Sequence, residues 1–298
     1  MRYDLVDLEY PMEPDPAFRR RAAWLLARLE LAFPEGGAKV LDIGCGQGFY
    51  LPLCRQLGLS WTGVDMDGQA LLEVSSQASR TGFAGAAWVR ASAEALPFPS
   101  HSFDAVILSE VLEHLTDPGR ALAEAARVLK PAGVALITVP NADYPLAWDP
   151  LNGIREALGL QPVRVGIFAG IWAHHERLYT VAQLEREVRQ ACFVPEPAVR
   201  MTRWCLPFIH NLVYGLGRRL LEGGRLPRAW TGHGLRGAER VPRQHRSFMR
   251  LFNPVAAAIT LIRFADRLNG DLVSRGPSQN ICLAARRPSS TPHANSPD

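Results

Sequence analysis

The chain is short of cysteine, of long apolar runs and of any strong charge excess, and each shortage closes off a class of protein. Its five cysteines, Cys45, Cys54, Cys192, Cys205 and Cys282, form no CxxC pair and have no histidines at metal-ligand spacing. An odd count with scattered spacing argues against a disulfide framework or a zinc-finger site and reads as reduced thiols in a cytoplasmic protein. No stretch reaches the roughly 18 apolar residues of a membrane span; the best candidate, Pro254 to Ile262, is far shorter. The opening MRYDLVDLEY is acidic and lacks an apolar core, so it does not read as a secretory signal. No internal repeat is visible. Charged residues make up 21% and hydrophobic residues 47% of the 298 positions. That balance argues against wholesale disorder and is enough for a large buried core, in one domain or two.

The net charge of +4 is unevenly spread. From Met1 to Lys130, twelve basic residues face seventeen acidic ones, a local charge of −5. From Arg200 to Arg250, eleven arginines face only Glu222 and Glu239, a local charge of +9. Two readings stand for the basic segment. It meets something anionic, such as phosphate, phospholipid or nucleic acid, or it is a solvated arginine-rich face.

Periodicity then gives the elements. Ala22, Leu25, Leu26, Leu29 and Ala32 recur at helical spacing and predict a helix from Phe18 to Phe33, within an N-terminal helical segment of residues 1–36. Apolar runs at Ala38–Ile43, Trp61–Val64, Ala86–Ala91, Phe103–Leu108 and Val134–Val139 read as five strands with helices between them. Asp117 with Pro118 marks one helix start, and Thr180 with Gln183 has the pattern of a capping box. Strands that are apolar throughout and alternate with helices predict an α/β fold, a doubly wound and mostly parallel sheet covered on both faces. Ala198–Thr202 and Asn280–Ala285 are read as the sixth and seventh strands. Asn141 to His175, rich in proline, glycine and aromatics, reads as an irregular lid or substrate segment. Residues 37–203 and 276–287 form the predicted main domain, with a helical insertion, 204–275, before the last strand. The insertion holds two apolar helical stretches, Trp204–Leu221 and Leu251–Leu268, joined by the arginine- and glycine-rich link Gly223–Arg246. The Ser/Pro-rich tail, 288–298, reads as disordered.

The chemistry is concentrated in VLDIGCGQGFY, Val40 to Tyr50. A buried strand delivers Asp42 to its carboxyl end, and Gly44, Gly46 and Gly48 allow a tight turn and a close approach of backbone to a ligand. The spacing is D-x-G-x-G-x-G, not the G-x-G-x-x-G of dinucleotide enzymes, and Asp65 ends the next strand where it can accept hydrogen bonds from a ribose diol. Four further motifs follow in order: GVDMD at Gly63–Asp67, AEALPF at Ala93–Phe98, SFDAVILSEVLEHLTDP at Ser102–Pro118, and RVLKPAGVALITVP at Arg127–Pro140. Together these five resemble the class I S-adenosylmethionine (SAM)-dependent methyltransferases, in the branch that acts on small molecules and lipids.

The resemblance implies a Rossmann-like sheet of seven strands with SAM as cofactor. It implies that Gly44, Cys45, Gly46 and Gly48 pass along the amino-acid end of SAM, that Asp42 orients this loop, that Asp65 holds the ribose, and that Met66 packs on the adenine. Ser92 stands where the family often has aspartate; its hydroxyl, with the Ala93 backbone, is a weaker acceptor for the adenine amino group. Ser109 and Glu110 are expected beside the sulfonium. Glu113, His114 and His175 are the candidate catalytic residues. His114 is either a general base or a cap on the following loop. His175 lies in a His-Glu-Arg-Leu-Tyr run that resembles a lid-orienting segment of the family. Metal binding by His174, His175 and Glu176 is discounted for want of a partner cluster elsewhere in the sequence.

The acceptor is expected to be small and hydrophobic or lipid-linked, because apolar helices bordered by arginines suit a hydrophobic substrate or an interfacial membrane contact through 204–268. The same pattern suits an ordinary packing subdomain. The place expected is the cytoplasm, at the inner membrane surface. Nucleic acid is not expected as a partner, since SEVLEH occupies the position where base methyltransferases carry an N/D-P-P-Y/F motif. The alternatives are methylation of a polar small molecule, a non-catalytic SAM-binding scaffold, and a nicotinamide-dependent oxidoreductase.

Overall fold

The computed structural model describes residues 1–10, 13, 15–166, 168–203, 254–269 and 276–289. The apolar runs become β1 (Lys39–Ile43), β2 (Ser60–Asp65), β3 (Ala86–Arg90), β4 (Phe103–Ser109), β5 (Leu129–Pro140), β6 (Val194–Pro195), β7 (Val199–Met201) and β8 (Asn280–Arg286). They form one sheet in the order β3-β2-β1-β4-β5-β8-β6, with β7 also paired to β8. The first five strands run parallel, and β8 is antiparallel to β5, β6 and β7. The Rossmann-like α/β prediction holds. The predicted sixth strand, Ala198–Thr202, is β7, and an unpredicted two-residue strand, β6, precedes it on the same edge; Pro195 and Pro197, which cannot donate to the ladder, separate the two.

Alternate residues of each strand feed opposite faces. Ala105 and Ile107 of β4 join one core cluster, while Val106 and Leu108 join the other. The first face is covered by α2 (Pro16–Ala32) through Phe18, Ala22, Leu25, Leu26 and Leu29, together with α1 (Tyr3–Glu9), α3 (Leu51–Gln56) and α4 (Gly68–Thr81). The second is covered by α5 (Pro118–Val128) and α7 (Val181–Gln190), through Leu122, Ala125, Val128, Leu184 and Val188. The helix starts follow the cap signals. Asp117 Oδ1 accepts from Arg120 N at 3.0 Å, and Thr180 and Gln183 exchange both capping-box bonds. Asp15 caps α2 at Pro16, slightly ahead of the predicted start.

Residues 141–175 are more ordered than their composition predicts. They contain α6 (Pro150–Ala157) and a 3-10 turn, Gly170–Trp172. A polar hub organises them. Asn152 Nδ2 donates to Asp149 Oδ2 at 2.7 Å and to Ala169 O at 3.0 Å, and Asn152 Oδ1 accepts from Val163 N at 2.7 Å. Hydrophobic periodicity is blind to such a centre.

Of the insertion, Trp204–Leu221, the Gly223–Arg246 link and Leu251–Asn253 lie outside the described residues, as does the tail from 290 onward. The described end of the insertion is α8 (Pro254–Asp266), docked on α2. The buried Arg20 donates from Nε to Asp266 Oδ1 at 2.8 Å and from Nη2 to Asp266 O at 2.7 Å. Among the described residues, no helix is long and apolar enough to cross a membrane.

Candidate functional site

The strand order reverses between β1 and β4, and ligands of open α/β sheets bind at the carboxyl ends beside such a switch. β1 ends in the glycine turn. Gly44 N and Cys45 N both donate to Val64 O, at 2.7 and 3.0 Å, tying the turn to β2. Gly44 has φ +69°, and a Cβ there would lie 2.5 Å from Val111 Cγ2. Gly46 differs: at φ +51°, a Cβ would meet nothing nearer than Phe49 at 4.0 Å, so the space over it is open. Gly46 N donates to Asp65 Oδ2 at 2.8 Å, and Asp67 N donates to Asp65 Oδ1 at 2.8 Å. A carboxylate has about four lone-pair sites, so two remain for a ligand diol. Met66, next along, is 63% exposed with its carbonyl held by Arg90 Nε at 2.9 Å. An open glycine backbone, a half-satisfied carboxylate and an exposed thioether on one edge fit the amino-acid, ribose and adenine parts of SAM.

Other motif residues are placed differently. Asp42 is buried and accepts from Trp61 Nε1 at 3.2 Å; burial pushes its carboxyl up to about 8. The loop is therefore held by Asp65 rather than by Asp42. The Cys45 side chain is buried, and burial raises its thiol far above the usual range, so only its backbone faces the turn. Gly48 packs against Val74 of α4. Ser92 Oγ accepts from Glu94 N at 3.1 Å, and Ala93 is buried behind it.

On the other side of the switch, Ser109 and Glu110 join a network that the motifs do not advertise. Tyr50 Oη lies 2.8 Å from Ser109 Oγ, which lies 2.9 Å from Thr138 Oγ1. Thr138 Oγ1 donates to Glu110 Oε1 at 2.9 Å, so the hydroxyls align in one direction, Tyr50 to Ser109 to Thr138 to Glu110. Glu110 Oε2 accepts from Asn280 Nδ2 at 3.0 Å and lies 3.4 Å from Arg21 Nη1 of α2. Glu110 itself has φ +57°, a conformation that marks strain at functional positions. Tyr50, Thr138, Arg21 and Asn280 were missed from sequence. The available signal was a polar residue inside an apolar strand (Thr138) and an arginine on the buried stripe of a helix (Arg21).

The 3-10 turn Leu112–His114 follows. Glu113 is wholly buried, and neither carboxylate oxygen has a hydrogen bond. Burial, and then the nearby Glu110, raise its carboxyl well above the usual range. Its carbonyl accepts from Glu176 N at 2.9 Å, which fastens the 170s segment to the turn. Glu113 Oε1 lies 4.0 Å from both His114 Nε2 and His175 Nε2, and the two imidazole rings meet edge to face at 4.8 Å. The fold thus supplies the partner cluster whose absence from the sequence argued against metal.

A family model described as a methyltransferase domain matches residues 41–137. An uncharacterized methyltransferase from a Mycobacterium species is 37% identical over 103 residues, 35% of this chain and 39% of that protein. A ubiquinone biosynthesis O-methyltransferase from Dinoroseobacter shibae is 30% identical over 179 residues, 51% of this chain and 72% of that protein. Otherwise the chain spans about half the length, or less, of the curated relatives it matches. Among solved structures, phosphoethanolamine N-methyltransferase 2 of Haemonchus contortus, in complex with SAM, superposes with a TM-score of 0.51 at 20% identity, over 88% of this chain and 52% of that one. At that identity the likeness speaks for the fold.

Proposed function

We propose, from the premise that the chain belongs to the class I SAM-dependent methyltransferases, that it transfers a methyl group from SAM to a small, hydrophobic or lipid-linked acceptor. The observation that carries the reading is Asp65. Its carboxylate is fixed by Gly46 N and Asp67 N, keeps acceptor capacity in hand, and stands between the open glycine turn and the exposed Met66.

In this reading Asp42, Gly44, Cys45, Gly46, Gly48, Asp65, Met66, Ser92 and Ala93 form the cofactor side. Gly44 to Gly48 contribute through backbone, and Asp42 lies beneath the turn. Ser109 and Glu110 stand at the junction, their side chains held by Tyr50, Thr138, Asn280 and Arg21. Glu113, His114 and His175 wall the acceptor side. The cofactor supplies an electrophilic methyl on a sulfonium. What is left for the protein is to hold the acceptor atom in line with the methyl and to exclude water.

The hydrophobic acceptor is supported by the Dinoroseobacter relative, a ubiquinone biosynthesis O-methyltransferase, and by α8. Leu261 and Phe264 of α8 are 62% and 65% exposed, with Arg267 stacked on Phe264 at 5.9 Å. An apolar surface edged by arginine fits a lipid-like acceptor or an anionic membrane surface.

The experiment is transfer of labelled methyl from SAM into a cell extract, followed by partition between organic and aqueous phases. Protein-dependent label in the organic phase is expected. Label confined to the aqueous phase keeps methyl transfer and rejects the hydrophobic acceptor. SAM binding with no label in either phase rejects the enzyme in favour of a binding scaffold.

A further inference from the structure

Glu113 Oε1, His114 Nε2 and His175 Nε2 converge beside the 3-10 turn. His114 Nδ1 lies 3.0 Å from His174 O. A carbonyl can only accept, so Nδ1 carries the hydrogen, and in the neutral ring Nε2 presents a lone pair. His114 Nε2 lies 4.0 Å from Glu113 Oε1, and His175 Nε2 lies 4.0 Å from the same oxygen. The ligand atoms of all three residues lie within 4.8 Å of one another. Glu113 is wholly buried and its oxygens accept no hydrogen bond. A carboxylate buried without a hydrogen bond is costly unless its charge is neutralised, and a cation shared with the two imidazoles is one way to neutralise it.

We propose that Glu113, His114 and His175 bind one divalent transition-metal ion of the zinc or iron(II) class. Two imidazoles and one carboxylate are the donor set of open, three-ligand sites for such ions, with positions left over for an exogenous oxygen or nitrogen. The present spacing is wider than a bound ion needs, since ligand atoms at about 2.1 Å from a metal stand about 3.0–3.5 Å apart. His114, with a side chain 41% exposed, has room to close that gap.

The surroundings match as well. Metal-ligating histidines commonly donate their second ring N–H to a carbonyl or carboxylate, and His114 does so to His174 O. His174 has φ +62°, unusual for a residue with a side chain. Glu176 N fastens the segment to Glu113 O at 2.9 Å, so the ligands on the turn and in the 170s are held in register by backbone. Ion binding stands on these side chains alone. The ion's task, to orient and polarise a hydroxyl or amine of the acceptor, rests on the methyl-transfer reading above.

The test uses the full chain, stripped with EDTA, desalted, and titrated with Zn2+ by calorimetry and with Co2+ by visible absorption. One ion per chain is expected, with cobalt ligand-field bands that SAM leaves in place. The double variant His114→Gln, His175→Gln is expected to bind Zn2+ about 100-fold more weakly and to lose the cobalt bands. Its SAM affinity should remain within about twofold, while His101→Gln should match the parent chain. Zn2+ affinity that is equal in parent and double variant, or absent from both, overturns the site. If Zn2+ binds as expected but SAM does not bind, the methyl-transfer reading falls and the metal site stands. Glu113→Gln gives a second check, because it keeps the volume of the buried side chain while removing the carboxylate an ion would bind: weaker Zn2+ binding is expected, and unchanged Zn2+ affinity overturns the site.

Discussion

The two walls of the carboxyl edge differ in where their residues come from. The proposed cofactor wall is contiguous: the glycine turn from Gly44 to Gly48 is tied by three backbone donors to Val64 and Asp65 on the neighbouring strand. The proposed acceptor wall is assembled from afar. Glu113 and His114 meet His175, Glu110 meets Arg21 and Asn280, and α8 returns to α2 through Arg20 and Asp266. Backbone contacts within a short motif tolerate change in the rest of the chain. Side-chain contacts between distant segments depend on the whole fold and are free to change with the acceptor.

That contrast is sharpened most by Asp266→Ala. The substitution removes the carboxylate partner of a buried guanidinium, and a loss of about 3 kcal/mol of stability is expected, read by urea denaturation. The affinity of the remaining folded chain for SAM should not move. A parallel loss of SAM affinity would show that the walls are coupled and would break the comparison. Asp65→Ala is the converse. It should weaken SAM binding about 100-fold, equivalent to about 2.7 kcal/mol, read by calorimetry, while Zn2+ binding at Glu113, His114 and His175 stays as it was.

Asp42 gives a pH-dependent effect confined to the cofactor wall. Burial pushes its carboxyl up to about 8 from its ordinary value of 3.8. The folded chain therefore keeps a proton that the unfolded chain releases, so in this window unfolding releases a proton. Stability without SAM falls as pH rises from about 4 to about 8, by about 1 kcal/mol per pH unit, and the contribution levels off above that. Asp42→Asn keeps an acceptor for Trp61 Nε1 and should remove Asp42's share of the slope, leaving the share that the buried Glu113 carboxyl adds in the same direction. Denaturation midpoints at pH 6 and pH 8 decide it: an unchanged slope in the variant would mean that Asp42 is ionised in the folded chain.

The same contrast explains what could be read from sequence. The strand and helix order, the caps at Asp117 and Thr180 and the glycine turn are local facts, and periodicity and spacing report local facts. Thr138, Arg21 and Asn280 reach one site from three segments, and only the pairing of β5 with β4 and β8, together with the docking of α2, brings them together. His175 and Glu113 likewise meet only once Glu176 N is bonded to Glu113 O. Asn152 and Asp149 order the segment between them through polar contacts, which a hydrophobic pattern does not register.

The smallest expected effect tests whether the cofactor wall is as self-contained as its geometry indicates. Ser92 Oγ already accepts from Glu94 N at 3.1 Å, so much of its acceptor capacity is used to close its own turn. Ser92→Asp provides two oxygens, one for Glu94 N and one for the adenine amino group, and the second bond is charge-assisted. A gain of about fivefold in SAM affinity, about 1 kcal/mol, is expected. An analogue whose adenine lacks the amino group should gain nothing, because the added oxygen has no donor to meet. Equal gains for both ligands would mean that the new charge acts on the positive cofactor at long range, and the adenine would then be read by the Ala93 backbone alone.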